Sequence, residues 1–147
     1  MLATNHVILG AGLGLITKDP IFAFTAGTLS HLLLDSIPHW GASTDGNFNE
    51  KLFLRVAKTD GVTLLLVFAL LSFYPTPYKL AVLLGAFGGL LFDLDKPMMH
   101  FFKIKIWPSW FDKLNLLIQR ESPKRWWVEL VAFLSFSTLF LTQLQYI

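Results

Sequence analysis

The sequence contains no cysteine. This excludes a disulfide framework, a thiolate zinc site and a thiol nucleophile, so any metal must be held by His, Asp or Glu. Charge is scarce as well: Asp, Glu, Lys and Arg make up 15% of the 147 residues, against about 25% in a typical soluble domain. So few charges cannot coat a water-soluble globule. A net charge of +2 is too small for a nucleic-acid-binding arm. There is no low-complexity stretch and no internal repeat. The first residues lack a basic segment, so no cleavable signal peptide is expected. A dinucleotide-binding turn is excluded too. In the run from His6 to Gly14, Gly10 and Gly12 would require a third glycine where Leu15 stands, and Asp19-Pro20 interrupts the helix that should follow.

What remains is apolar. Hydrophobic residues make up 54% of the chain, with 14 Phe and 5 Trp, and the mean hydropathy is +0.55. These values predict an all-α integral membrane protein, one polytopic domain over residues 1–147, with membrane lipids as its surroundings. Apolar stretches place five membrane segments at about 5–17, 20–38, 52–74, 78–94 and 125–145. The first and third apolar cores are short, which leaves a re-entrant first hairpin open. Lys18-Asp19-Pro20 and Pro75-Thr76-Pro77 act as stops, and residues 39–48 read as a polar loop. Gly10 and Gly14, and Gly85 and Gly89, have the spacing of helix-packing faces. In 109–120 the apolar residues 110, 111, 114, 117 and 118 share one helical face, which predicts an amphipathic helix on the membrane surface. Lys124-Arg125-Trp126-Trp127 predicts an interfacial belt at the start of the last segment.

Five segments put the N-terminus, the 39–59 loop and the 95–125 loop on one side. Every Lys and Arg except Lys18 and Lys79 then falls on that side. The positive-inside rule makes it cytoplasmic, so a multi-pass protein of the cell (inner) membrane is expected, with its N-terminus inside and its C-terminus outside.

The histidines were not used for that topology, yet they collect with four aspartates at one depth of it. His6 opens the first segment. His31 and Asp35 lie in the cytoplasmic half of the second, and His39 follows it. Asp60 lies near the cytoplasmic end of the third. Asp93 and Asp95 end the fourth, with His100 just beyond. An Asp at the centre of a spanning helix costs about 2.5–3.5 kcal/mol on insertion scales, so such residues need a partner or a metal. His31 and Asp35 are four apart and project from one helix face. Pro38 breaks the helix and lets His39 turn back. Asp93 and Asp95 sit where the free carbonyls of a helix end disfavour anions, a penalty that a bound cation would offset. His and carboxylate donors together suit zinc best, with manganese or iron as alternatives, rather than calcium. The expected metal ligands are therefore His6, His31, Asp35 and Asp93, with Asp95 and His100 as outer candidates. Asp60 and His39 are the candidates for a further ligand or the general base, with Asp60 expected to converge on the same centre. Arg55, Lys58 and Lys96 are the candidates for holding a substrate phosphate. The competing reading is an internal hydrogen-bonded polar cluster without catalysis.

Two pieces of this chain resemble the YdjM-like, LexA-regulated family of inner-membrane metal-dependent hydrolases. One is Asn5-His6 with Gly10, like the family's N-terminal His followed by Gly. The other is Gly89-Leu-Leu-Phe-Asp93-Leu-Asp95-Lys-Pro97, like its Gly…Pro-Asp-x-Asp-x-Pro motif. Phe92 stands where the family has proline, and the family's His-Arg-Gly-x-Thr-His-Ser motif has no counterpart after Asp95. The segment Ser30-His31…Asp35…Pro38-His39 also looks like the His-x-x-x-Asp…Pro…His segment of zinc-dependent phospholipases C, with altered spacing. The resemblance implies a divalent-metal hydrolase and names no substrate. A phosphoester or lipid-headgroup substrate at the cytoplasmic interface is the expectation. The alternatives are a non-enzymatic membrane protein with a structural or regulatory polar cluster, or a small metal or proton carrier. The carrier would need polar groups through the whole membrane depth, and the outer half offers little beyond Thr and Ser.

Overall fold

The computed structural model describes residues 1–41, 43–44 and 47–146; of the expected 39–48 loop, residues 42, 45 and 46 lie outside the described set. The chain is all-helical apart from one small ribbon. Helix α1 is Ala3–Thr17, α2 Pro20–Ser36, α3 Glu50–Phe73 and α4 Lys79–Leu90. A two-residue antiparallel ribbon, β1 (Ser43–Thr44) against β2 (Asn47–Phe48), lies between α2 and α3. Beyond α4 the chain stays helical but changes pitch. It passes through a 3-10 turn (Leu91–Leu94), a short α turn α5 (Asp95–Pro97) and a π turn (Met98–Phe102). Helices α6 (Ser109–Ile118) and α7 (Trp126–Leu144) complete it.

Local chemistry explains the boundaries. Lys18 takes a left-handed conformation (φ 58°) and donates its N–H to the Gly14 carbonyl at 3.0 Å, closing α1. Asp19 then accepts from the N–H groups of Ile21 and Phe22, both at 2.9 Å, with Pro20 at the first helical position. Three residues thus stop one helix and start its antiparallel neighbour. Ile37 is extended because it precedes Pro38, so α2 ends there. Asn49 caps α3 by accepting from Leu52 N–H at 3.0 Å.

Helices α1, α2 and α4 form the centre, and glycine sets their spacing. A Cβ on Gly85 would overlap the Gly10 carbonyl, one on Gly27 would overlap the Gly85 carbonyl, and one on Gly89 would overlap the His6 carbonyl. Backbones this close exclude any larger residue at these positions. The predicted packing faces are confirmed. Val7, Ala11, Leu15, Val82, Ala86 and Leu90 build the buried core between them, and Leu71 of α3 closes it.

The expectation of five spans is corrected here. Two helical stretches are long and apolar enough to cross a membrane: α3, with 24 residues, and Pro123–Leu144, with 22. Helices α1, α2 and α4 have 15, 17 and 12 residues. At about 1.5 Å per residue each of these α segments taken alone falls short of a hydrocarbon core about 30 Å thick, although the helical path that begins with α4 continues to Phe102. The two long helices are not core helices. Leu65, Leu70 and Phe73 of α3 and Val131 and Leu134 of α7 are exposed, and so are Ile21, Phe22, Leu29 and Leu33 of α2. The amphipathic helix expected over 109–120 is present as α6, with Phe111 buried.

Candidate functional site

The glycine contacts bring three helix ends together. Helix α1 presents His6, and α2 presents His31 and Asp35 one turn apart. The turn at Pro38 brings back His39, and the 3-10 turn after α4 supplies Asp93. His39 is held by backbone: its N–H donates to the Arg120 carbonyl at 3.0 Å, and its carbonyl accepts from Ser122 N–H at 2.8 Å. The segment before α7 thereby closes the site.

Asp35, 1% exposed, is the centre of the cluster. Its Oδ1 lies 3.1 Å from His6 Nε2 and 3.8 Å from His39 Nε2. Its Oδ2 lies 3.3 Å from His31 Nε2. It also accepts from the amino group of Met1 at 2.7 Å and from Gln119 Nε2 at 3.1 Å. Three imidazoles therefore face one carboxylate, and all three are fully or almost fully buried.

The other ring nitrogens determine what the rings can do. His31 Nδ1 lies 2.6 Å from the Gly89 carbonyl, and His39 Nδ1 lies 2.8 Å from the Ile37 carbonyl. A carbonyl only accepts, so both Nδ1 atoms carry the proton. On His39, Nε2 is then the unpartnered lone pair of the neutral ring, whereas His31 Nε2 faces the acceptor-only Asp35 carboxylate at 3.3 Å, a contact that the protonated ring makes. A backbone carbonyl on one ring nitrogen with the other turned toward a shared centre is the arrangement that orients metal-binding histidines. Burial pushes the His39 imidazole below its ordinary pKa, so its Nε2 is an acceptor at neutral pH. The rings of His6 and His31 stack at 3.8 Å between centroids with 19° between planes. Two cations do not stack at that distance in a buried site, so at most one of the two is protonated.

Three ligand-type atoms here are buried without a hydrogen-bond partner: His6 Nδ1, His39 Nε2 and Asp93 Oδ2. Such atoms cost about 1–3 kcal/mol each when left unsatisfied. One atom each from His6, His31 and Asp93 lie within 4.8 Å of one another, a separation that one metal ion bridges.

The other expected site residues lie elsewhere. Asp60 accepts from the N–H groups of Ala3 (2.9 Å) and Thr4 (3.3 Å). It caps α1 from a different helix, where the free donors and the helix dipole favour a carboxylate. Glu129 of α7 does the same for Leu2 N–H (2.9 Å) and also accepts from Asn5 Nδ2 (2.8 Å). Asp95 accepts from Ile106 N–H at 2.8 Å and organises the loop after the π turn. His100 packs edge-on against Phe53 and Phe101. Arg55 and Lys58 lie on the exposed side of α3. Lys96 pairs with Glu121 at 3.2 Å. Burial acts against both charges of that pair. Their mutual attraction outweighs it, holding Glu121 below and Lys96 above their ordinary values. Gln119 and the Gly89 carbonyl were not foreseen. Nothing in the sequence marks a glutamine at the end of a surface helix or a carbonyl next to a packing glycine.

Comparisons with protein-family models, with curated proteins and with solved structures found no match.

Proposed function

We propose that this protein is a membrane-embedded, metal-dependent hydrolase. Its centre is held by His6, His31 and Asp93, with Asp35 and His39 beside them. The observation that supports this reading is the set of unpartnered buried atoms, imidazole nitrogens of His6 and His39 and a carboxylate oxygen of Asp93, which converge from three segments. This donor set fits a divalent ion of the zinc class, because neutral imidazole and carboxylate are its preferred ligands in a cysteine-free chain. Such an ion supplies Lewis acidity toward a phosphoryl or carbonyl oxygen. The chain's own groups have separate tasks. Asp35 orients the His6 ring by accepting from its Nε2–H, which leaves Nδ1 as the lone pair, and His31, held at Nδ1–H by the Gly89 carbonyl, would offer its Nε2 to the ion in place of the Asp35 contact. His39, a neutral acceptor locked by the Ile37 carbonyl, is the base assigned to take a proton. The stacked rings and the close helix contacts exclude bulk water.

The substrate class is a phosphoester carried by an amphiphile. In this reading α3 and α7 cross the inner membrane in the same direction, the helical path that begins with α4 returns between them, and the α1–α2 hairpin enters the membrane with the exposed apolar side of α2 against lipid. The excess of Lys and Arg in the 39–59 and 95–125 stretches supports a cytoplasmic α1 start.

The test is metal content and turnover of the protein purified into lipid nanodiscs with zinc or manganese. A bound metal and phosphodiester turnover are expected, with the metal lost in Asp93→Ala and His31→Ala. Activity equal in wild type and both variants, or absent with every metal and substrate class, would refute hydrolysis. One observation favours a second reading, a purely structural polar cluster: Asp35 already accepts from Met1, Gln119 and His6. Absence of bound metal in the wild type would select it.

A further inference from the structure

Helix α3 leans on the core through Leu71 and, less deeply, Leu64, Val67 and Phe68. Its first half stands away from the bundle and borders a cavity of about 750 Å³. The opposite walls are the α4 end with the pitch-changing turns, α6 and the start of α1. From α3 the cavity is lined by Phe53, Val56, Ala57, Asp60, Gly61 and Leu64. These positions form a single helical stripe, apolar except for Asp60, which is occupied in capping α1. From Phe53 to Leu64 the stripe is about 16 Å long at about 1.5 Å per residue.

The polar lining is asymmetric. Asp60, Asp95, Asp112 and Glu121 all have hydrogen-bonding partners. Asp93 Oδ2 has none, and Asp93 belongs to the candidate metal group. The cavity is therefore an apolar slot with its one unsatisfied lining carboxylate at the candidate centre. Its volume lies within the about 300–1,000 Å³ usual for small-molecule sites. An aqueous substrate would leave this apolar stripe unmatched, whereas a hydrocarbon chain covers it. Lipid is also the medium that the exposed outer side of α3 requires.

We infer that this slot holds one hydrocarbon chain of a membrane lipid, laid along the 53–64 stripe of α3, so that the lipid's headgroup reaches Asp93. The inference rests on the membrane-embedded reading and deepens it by assigning the part of the substrate that binds. Gly61 is the gauge of the slot. A Cβ added there meets nothing within 4 Å, so the position opens into space and tolerates a large side chain.

The experiment uses full-length protein in phosphatidylethanolamine–phosphatidylglycerol vesicles containing a phospholipid with a photoactivatable group in a palmitoyl chain. Adducts are mapped by mass spectrometry in wild type, Gly61→Ala and Gly61→Phe, and metal content is measured in parallel. The inference expects adducts on the 53–64 stripe in wild type. They should persist in Gly61→Ala and be lost in Gly61→Phe, whose metal content is unchanged. Adducts confined to the outward residues Leu65, Leu66 and Leu70 and equal in all three proteins would overturn it. Labelling does not depend on turnover. A protein that labels as expected but binds no metal would refute the hydrolase reading and leave the slot standing. A protein that binds metal and hydrolyses a soluble phosphodiester without stripe adducts would do the reverse.

Discussion

Replacing Gly85 by alanine tests whether backbone contact between helices builds this molecule. Two effects oppose each other. Alanine favours the helix over glycine by about 1 kcal/mol. Against this, the new Cβ overlaps the Gly10 carbonyl and lies 3.1 Å from its carbonyl carbon and 3.4 Å from Gly14 N. The obstructing atoms are main chain on a packed helix, so no rotamer change relieves them. Overpacking of this kind costs about 1–3 kcal/mol. Separating α1 from α4 by about 1 Å would forfeit roughly a quarter to a half of the dispersion well at each contact. The net change is a loss of about 0–2 kcal/mol, too small to interpret alone. Gly61→Ala provides the reference, since it gains the same propensity and meets no atom within 4 Å. The gap between the two variants isolates the clash at about 1–3 kcal/mol. Gly12→Ala, whose Cβ would meet the Leu139 side chain at an ordinary 3.8 Å, should behave like Gly61→Ala. The assay is denaturation in detergent micelles followed by tryptophan fluorescence, with metal content measured beside it. Gly85→Ala should also bind metal less tightly, because Asp93 moves with α4 and His6 with α1. Equal stability of Gly85→Ala and Gly61→Ala would refute the close-contact account.

Two further outcomes are expected. Asp60→Ala strands the N–H groups of Ala3 and Thr4 and removes a carboxylate from the dipole of α1, so stability falls by about 1–3 kcal/mol. Metal content per folded molecule stays the same; its loss would return Asp60 to the ligand set. Glu121→Gln costs under about 1 kcal/mol, since the partner Lys96 is partly exposed. Because Glu121 titrates below its ordinary value in the folded protein, its contribution is complete above the ordinary Glu range. It is lost as pH falls through the lowered value. The difference between wild type and variant in urea midpoint should therefore be flat through neutral pH and vanish in acid. A difference that grew on acidification would contradict the pairing.

The elements legible in the sequence were those set by neighbours along the chain. Asp19-Pro20 predicted a stop and a start, and the four-residue spacing of His31 and Asp35 predicted a shared face. The topology predicted one depth for the histidines and Asp93. What the sequence concealed was set by partners far along the chain. Asp60 looked like a costly intramembrane acid in search of a metal, because its true partners, the donors of Ala3 and Thr4, precede it by more than fifty residues. The apolar runs gave helix positions but not helix lengths, since where α1 and α2 stop is fixed by Lys18-Asp19-Pro20 and Pro38 rather than by where apolar character ends. The run from Lys79 to Phe102 read as one span followed by a loop. It is one helical path whose pitch shifts at Leu91 and again at Met98, and periodicity over so few residues does not reveal such a shift.

The capping of α1 from other helices has a consequence for how the chain is made. Helix α1 has no side-chain cap of its own. The donors at Leu2, Ala3 and Thr4 are taken by carboxylates from α3 and α7. During synthesis α1 emerges before α3 and α7, and its leading turn stays incomplete until Glu129 has left the ribosome. His6 sits on the next turn of that helix, and His39 is pinned by the segment just ahead of α7. The site therefore cannot assemble progressively as the helices are delivered; its closure is a late event that waits for the last helix. A ribosome stalled before residue 129 would hold a bundle with its helices in place and its polar centre still open to protons, water and metal.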